Sequence, residues 1–307
     1  MPPAANEYNP PNSFEQRKHG EAMGIRNVKV KPLKKTSPFR KIAMGTWAHP
    51  GDPQIYGTID IDLTKAYAWR DKLPEDAPKV TVTHMIARAI GLAMKQYPDL
   101  NGFVRFRKIY LRQSIDMTFL VSFKHKLGRA DLSSMRVKEV DQKSAAQIAE
   151  EMAAKVERIR DKADTEVQKS SKLLSIFPGF LVRWLLGLIA FITYTLNIRM
   201  PGVPKDPFAG CIITNVGMLG LDIAYAPLVP YSRVPVILLV GEAKKRPVVD
   251  ADGKIVAREI VTINATIDHR FCDGVLLGKM VRVIREVFDD PDTYFSTPKS
   301  EETEEAA

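Results

Sequence analysis

The run Asp268-His269-Arg270-Phe271-Cys272-Asp273-Gly274 concentrates side chains able to do chemistry. It follows directly on Val261-Thr-Ile-Asn-Ala-Thr-Ile267, whose period-two alternation predicts a half-buried strand. A histidine delivered by a strand end, with a carboxylate four residues on and a glycine after it, suits a general base. Imidazole titrates near neutrality and must be held at one tautomer and angle to accept a proton. His269 is therefore the candidate base. The other histidines, His19, His49, His84 and His125, are scattered without ligand spacing, so no metal site is expected. Cys211 and Cys272 sit in apolar, strand-like contexts with no second basic group spaced to activate them. They read as buried structural thiols of a reduced, cytoplasmic protein, not as nucleophiles or a disulfide framework.

The elements that must position these residues can be read from periodicity. Gln54 to Asp62 alternates as a strand and feeds a helix from Leu63-Thr64 through Leu73. Thr83 caps a helix from His84 to Tyr97, stopped by Pro98, with Met85, Ile86, Ala89, Ile90, Ala93 and Met94 facing the core. Phe103 to Leu111 and Ser114 to Lys124 read as two strands. Ser144 to Lys169 reads as a long charged helix with Ile148, Met152, Val156 and Ile159 inside. Further strands run from Gly210 to Asn215, from Pro235 to Glu242, and from Ile255 to Ile267 after an Asp-Gly turn at Asp250-Ala-Asp-Gly253. A last amphipathic helix covers Gly274 to Phe288 and ends at Asp289-Asp290-Pro291. This order predicts a mixed α/β domain with a large sheet and covering helices.

Composition bounds the function. The chain has 307 residues, 45% hydrophobic and 26% charged, which is ordinary for a globular protein with a sizeable core. Its 45 Lys and Arg against 36 Asp and Glu give +9, which favours anionic partners such as coenzyme A or an acidic membrane surface. The positive charge is not interleaved with aromatics in one block, so nucleic acid is not an expected partner. No signal peptide is read in the polar, proline-bearing first residues. Residues 1–28 are expected to form a flexible arm, and 294–307 an acidic disordered tail. The odd segment is Ile176 to Ile198, almost wholly apolar around Arg183. It is long enough for a membrane span of about 20 residues. Spanning would divide one domain across a bilayer, so burial against protein or an interfacial membrane contact is expected instead, the latter placing the protein at the membrane periphery.

Asp268-His269-Arg270-x-x-Asp273-Gly274 resembles the active-site signature of the dihydrolipoamide acyltransferase catalytic domains of 2-oxoacid dehydrogenase complexes, relatives of the chloramphenicol acetyltransferases. Three weaker stretches fall in the family's order: Ser37-Pro-Phe-Arg40-Lys-Ile-Ala43, Tyr97-Pro-Asp-Leu-Asn101 and Ile213-Thr214-Asn215-Val216-Gly217. The resemblance spans about Lys31 to Asp290 and implies a chloramphenicol-acetyltransferase-like α/β two-layer sandwich. It implies acyl transfer between coenzyme A, a substrate here, and a thiol or other nucleophilic acceptor. In that scheme His269 takes the thiol proton, Thr214 donates to the oxyanion, and Asp273 pairs with Arg40 to brace the loop. Asn215, Lys244 and Lys245, with Arg246, are candidates for the coenzyme A channel. Asn101 and Arg270 are read as architectural. The family implies a homotrimer with each site between subunits, and leaves open whether trimers build larger cages.

The chain departs from that family in three respects, one being that Phe119 to Lys126 continues without the family's Gly-Leu-x-x-Pro-Val stretch after the second strand. No lipoyl domain or subunit-binding domain is read before Asn27, which predicts a stand-alone catalytic domain over 29–293 with no lipoyl attachment site, served by a separate lipoyl or carrier protein. An apolar insert at 172–204 interrupts the pattern. The competing class is a non-catalytic scaffold or assembly core of the same fold. A third is amide- or ester-forming condensation on a carrier-protein thioester.

Overall fold

The computed structural model describes residues 28–33, 53–124, 130–161 and 179–296. Among these the strands are β1 (Val30–Pro32), β2 (Gln54–Asp62), β3 (Gly102–Arg105), β4 (Lys108–Arg112), β5 (Met117–Lys124), β6 (Ala130–Val137), β7 (Cys211–Asn215), β8 (Val236–Val240), β9 (Lys244–Val249) and β10 (Ile255–Asp268). The helices are α1 (Thr64–Arg70), α2 (Val82–Gln96), α3 (Ala145–Asp161), α4 (Gly179–Ala190), α5 (Gly274–Asp289) and α6 (Pro291–Tyr294). A mixed sheet in the order β2-β10-β8-β7-β5-β6, with β9 also on β10, forms one layer. Its centre, β5, β7 and β8, is parallel, and β10 runs antiparallel to β2, β8 and β9.

Alternation along the strands divides the residues between two faces. Val236, Leu238 and Val240 of β8, with Cys211 and Ile213 of β7, join the large core beneath the helices. Ile237, Leu239 and Ile212 point the other way and are covered by Phe208, Val216, Ala224, Ala226, Leu228 and Val234. On that face β10 presents Thr262, Asn264 and Thr266, all buried. Thr262 Oγ1 donates to Asp60 at 2.6 Å and Asn264 Nδ2 donates to the Asp222 carbonyl at 2.9 Å, which satisfies the first two of these groups.

The two-layer α/β sandwich expected from the sequence is present. Five local readings change. The helix expected from His84 begins at Val82: Thr81, not Thr83, precedes it, and His84 Nδ1 accepts the Thr81 backbone N–H at 3.1 Å. The strand expected over Phe103 to Leu111 is a hairpin, β3 and β4, turning at Phe106 and Arg107, both at positive φ (46° and 59°). No glycine marks that turn. Strand β6, unforeseen because Ala130 to Val137 is polar and poorly alternating, pairs antiparallel with β5. The core also runs past the expected domain end at 293, since Phe295 is fully buried against Trp69 (5.1 Å between centroids) and Phe288 (5.4 Å). Helix α1 stops at Arg70, short of Leu73. For α3, residues beyond Asp161 lie outside the described ones, as do the expected N-terminal arm before Val28 and the tail after Ser296.

The apolar segment is α4 followed by a π-helical turn, Phe191–Thr195. Ala190 and Tyr194 pack with Val28 and Phe103, and Asn197 exchanges hydrogen bonds with the backbone of Val28 (2.6 and 2.9 Å). Tyr194 donates to Asp206 at 3.0 Å, inside a buried ion pair that Asp206 forms with Arg112 at 2.9 Å. Burial alone would raise the Asp206 pKa; Arg112, with Arg136 and the Tyr194 hydroxyl, outweighs it and holds it low. The opposite side of the segment exposes Trp184, Leu188 and Phe191. No helix among the described residues is long and apolar enough to cross a membrane.

Candidate active site

The His269 loop joins β10 to α5 and is tied down at every step. The Asp268 N–H donates to Pro235 O at 2.8 Å and the His269 N–H to Pro53 O at 2.7 Å, so the ends of β8 and β2 hold the backbone on either side. Asp268 and Arg270 form a buried ion pair within the loop: Arg270 Nε donates to Oδ1 at 2.9 Å, and the Arg270 N–H to the same oxygen at 3.0 Å. The architectural role expected of Arg270 follows from this pair. Asp273 is the N-cap of α5, its Oδ1 accepting the Leu276 N–H at 2.9 Å. Its expected partner, Arg40, lies outside the described residues. His269 itself is half-buried, its neighbours Arg270, Phe271 and Cys272 are buried, and its Nδ1 is buried. A strand end, a buried ion pair and a helix cap therefore hold this histidine's backbone.

Thr214 and Asn215 end β7. Thr214 is half-buried on the face away from the helices, whereas Asn215 turns toward them and donates from Nδ2 to Thr83 Oγ1 at 3.0 Å. Asn215 Oδ1 also accepts the Met218 N–H at 3.3 Å, so its side chain is engaged in holding the turn. Gly217 explains the last position of that motif, because a Cβ there would lie 2.6 Å from the Gly241 carbonyl and 2.7 Å from the Glu242 backbone. Asn101 is buried and donates to Ser114 O at 2.9 Å, beside Gly210, where a Cβ would collide with its Oδ1.

One chain does not bring Thr214 to His269. Thr214 pairs with Leu239, which pairs with Asn264, while His269 lies one residue beyond the Asp268 end of β10. Five residues along the sheet and two strands across put them about 19 Å apart. Lys244 lies beyond the Thr214 end; its Nζ is ion-paired to Asp222, and Arg246 contacts Asp60 (3.2 Å) and Asp222 (3.7 Å). Lys245 is exposed opposite Glu259 in the ladder. Both cysteines are buried, and burial pushes the Cys211 thiol well above its ordinary pKa, which argues against a nucleophile there. Two residues beside the histidine loop carry no signal in the sequence: Gln54, whose Oε1 accepts the Leu228 N–H at 2.8 Å, and Arg233. Neither stands in a recognisable spacing, and only the fold carries them there.

A mixed sheet with helices on one face and a histidine at a strand-to-helix junction defines the class of the acyltransferase sandwiches. The chain belongs to the 2-oxoacid dehydrogenases acyltransferase (catalytic domain) family, whose model matches residues 35–175 and 209–296 and passes over 176–208, where the apolar segment lies. It is 21% identical over 245 residues to the lipoamide acyltransferase component of the branched-chain alpha-keto acid dehydrogenase complex of Bacillus subtilis, covering 78% of this chain and 47% of the relative. It is 23% identical over 243 residues to the dihydrolipoyllysine-residue acetyltransferase component of the pyruvate dehydrogenase complex of the same organism, covering 78% and 45%. The chain thus spans about half the length of the curated relatives it matches. A probable dihydrolipoamide acetyltransferase from Listeria monocytogenes shares the fold at TM-score 0.58 and 18% identity, covering 88% of this chain and 97% of that one. A chloramphenicol acetyltransferase shares it at TM-score 0.54 and 13% identity, covering 85% and 100%.

Proposed function

We propose that the chain transfers an acyl group between coenzyme A and a thiol, with His269 as general base. The observation that carries this reading is the His269 loop, whose backbone is fixed by Pro53, the Asp268–Arg270 pair and the Asp273 cap. His269 takes the proton of the attacking thiol; the thiolate adds to the thioester carbonyl carbon; the tetrahedral intermediate collapses and expels the thiolate of coenzyme A, which takes back the proton from His269. A hydroxyl aimed at the oxyanion lowers that barrier by about 3 kcal/mol.

Thr214 is the candidate hydroxyl, and its distance from His269 within one chain favours a site built from two copies, the base from one and the hydroxyl from its neighbour. Exposed Met218, Leu219 and Ile223 beside Thr214 supply apolar surface for such a contact. A homotrimer is the assembly this reading uses, with coenzyme A approaching near the Thr214 end, on whose strands Asn215, Lys244 and Lys245 lie, and with a separate lipoyl protein as acceptor. The solved core of a pyruvate dehydrogenase multienzyme complex, described as cubic, has this fold at TM-score 0.57, which is in keeping with a symmetric assembly.

The test is transfer from acyl-CoA to dihydrolipoamide, followed by release of the coenzyme A thiol. His269→Ala should reduce turnover at least roughly a hundredfold with an unchanged fold. Undiminished transfer in that variant would refute the mechanism, and no transfer by the parent from any short or long acyl-CoA would favour the assembly-core reading.

A further inference from the structure

A cavity of about 130 Å³ opens beside the His269 loop. Val104, Leu228, Val234 and Phe271 give it apolar walls, and the charged residues that line it are Arg233, Arg270 and Asp268. The counter-charge of the two guanidiniums is unequal. Arg270 is matched by Asp268 in the buried pair, whereas Arg233 has no carboxylate partner among the described residues, and its buried Nε has no hydrogen-bond partner there. Burial first, and then the neighbouring Arg270, lower the Arg233 pKa below the usual guanidinium value. A half-buried cation facing a second cation is a costly arrangement unless an anion completes it. The backbone adds to that cost. Arg233 sits at φ +55°, in the left-handed region, closing the short turn Pro230–Ser232. A non-glycine residue there is strained by about 1 kcal/mol, a kind of strain that gathers at ligand sites.

The shape and lining select the ligand. An apolar cavity of about 150 Å³ holds a six-carbon ring, so this one suits a chain of roughly four to six carbons. It is too small for a nucleotide, and inorganic phosphate would leave the apolar walls uncovered. We propose that Arg233 determines acyl specificity by receiving the terminal carboxylate of a short dicarboxylic acyl group, whose carbon chain lies along Val104, Leu228 and Phe271 beside His269. The carboxylate is a spectator: the bonds made and broken are those of the thioester exchange above. The kinetic part rests on the acyl-transfer reading, but the binding part does not.

The experiment therefore has two arms on the full chain. In the first, calorimetry compares the glutaryl and butyryl thioesters of N-acetylcysteamine. The glutaryl thioester should bind roughly tenfold tighter or better, and Arg233→Met should erase that preference while Arg233→Lys keeps part of it. Equal binding of the two by the parent, or the same preference in Arg233→Met, overturns the proposal. A loss in Arg233→Met confined to coenzyme A, absent with its 3′-dephospho form, would assign the guanidinium to a phosphate and overturn it equally. In the second arm, the ratio of kcat/KM for glutaryl-CoA over butyryl-CoA should fall by the same factor in Arg233→Met. A ratio that does not move refutes the proposal. Glutaryl preference in binding without transfer from any acyl-CoA would instead sink the acyl-transfer reading and leave the Arg233 site standing.

Discussion

Acid should weaken this fold through one histidine far from His269 in sequence. His84 lies in the first turn of α2, buried, with Nδ1 accepting the Thr81 N–H, and burial lowers its pKa to about 4. In the unfolded chain the same imidazole takes up a proton near pH 6.5. Between these two values the unfolded state binds the proton and the folded state does not. Stability is therefore fully present above about pH 6.5, falls as pH drops, and levels off once pH passes about 4. The integrated loss is about 3 kcal/mol. A cation in the first turn of a helix also opposes the helix dipole, which acts in the same direction. Because Thr83 in that turn holds Asn215, the Thr214 end of the sheet should loosen along with it. The assay is urea unfolding of the parent and His84→Gln at pH 7 and pH 4. Glutamine keeps an acceptor for the Thr81 N–H and does not titrate. The parent should lose about 3 kcal/mol more than the variant over this range. Equal losses in the two proteins would show that His84 is not held neutral by burial and would refute the reasoning.

Substitutions at three positions probe the frame around the sheet. Asp273→Ala removes the N-cap of α5 and should cost about 1 kcal/mol in urea unfolding, together with a loss of transfer, while Asp273→Asn, which keeps the acceptor, should recover most of the stability. Gly217→Ala should cost roughly 1–3 kcal/mol, because the new Cβ meets immovable backbone at Gly241 and Glu242; a neutral result would mean the turn after Thr214 is not tightly packed. Gly278→Ala, exposed in α5 with open space around it, should instead stabilise by about 0.5–1 kcal/mol in the same assay.

Much of this architecture was legible because its signals are local. The alternation of Val261 to Ile267 announces β10, the periodicity of Met280, Ile284 and Val287 announces α5, and Asp250 to Gly253 announces the hairpin between β9 and β10. The features that escaped depend on tertiary context. The turn at Phe106 and Arg107 has no glycine, β6 gains its place from β5 and not from its own pattern, and Phe295 is ordered by Trp69 and Phe288. At the site, the Asp268–Arg270 pair spans two residues and follows from the motif. Arg233 is brought to the same cavity from 35 positions upstream by the pairing of β8 with β10, which no residue spacing announces. Lys244, chosen for its charge, has its own counter-ion in Asp222, a partner invisible without the fold.

His269 and Thr214 are proposed to act together from different copies of the chain. This is tested by unfolding and refolding an equal mixture of His269→Ala and Thr214→Ala and measuring acyl transfer from acyl-CoA to dihydrolipoamide. With random reassembly about a quarter of the interfaces unite an intact histidine with an intact threonine. The mixture should thus recover about a quarter of the parent's turnover while each variant alone stays low. A mixture no more active than the average of its two components would contradict a site shared between chains.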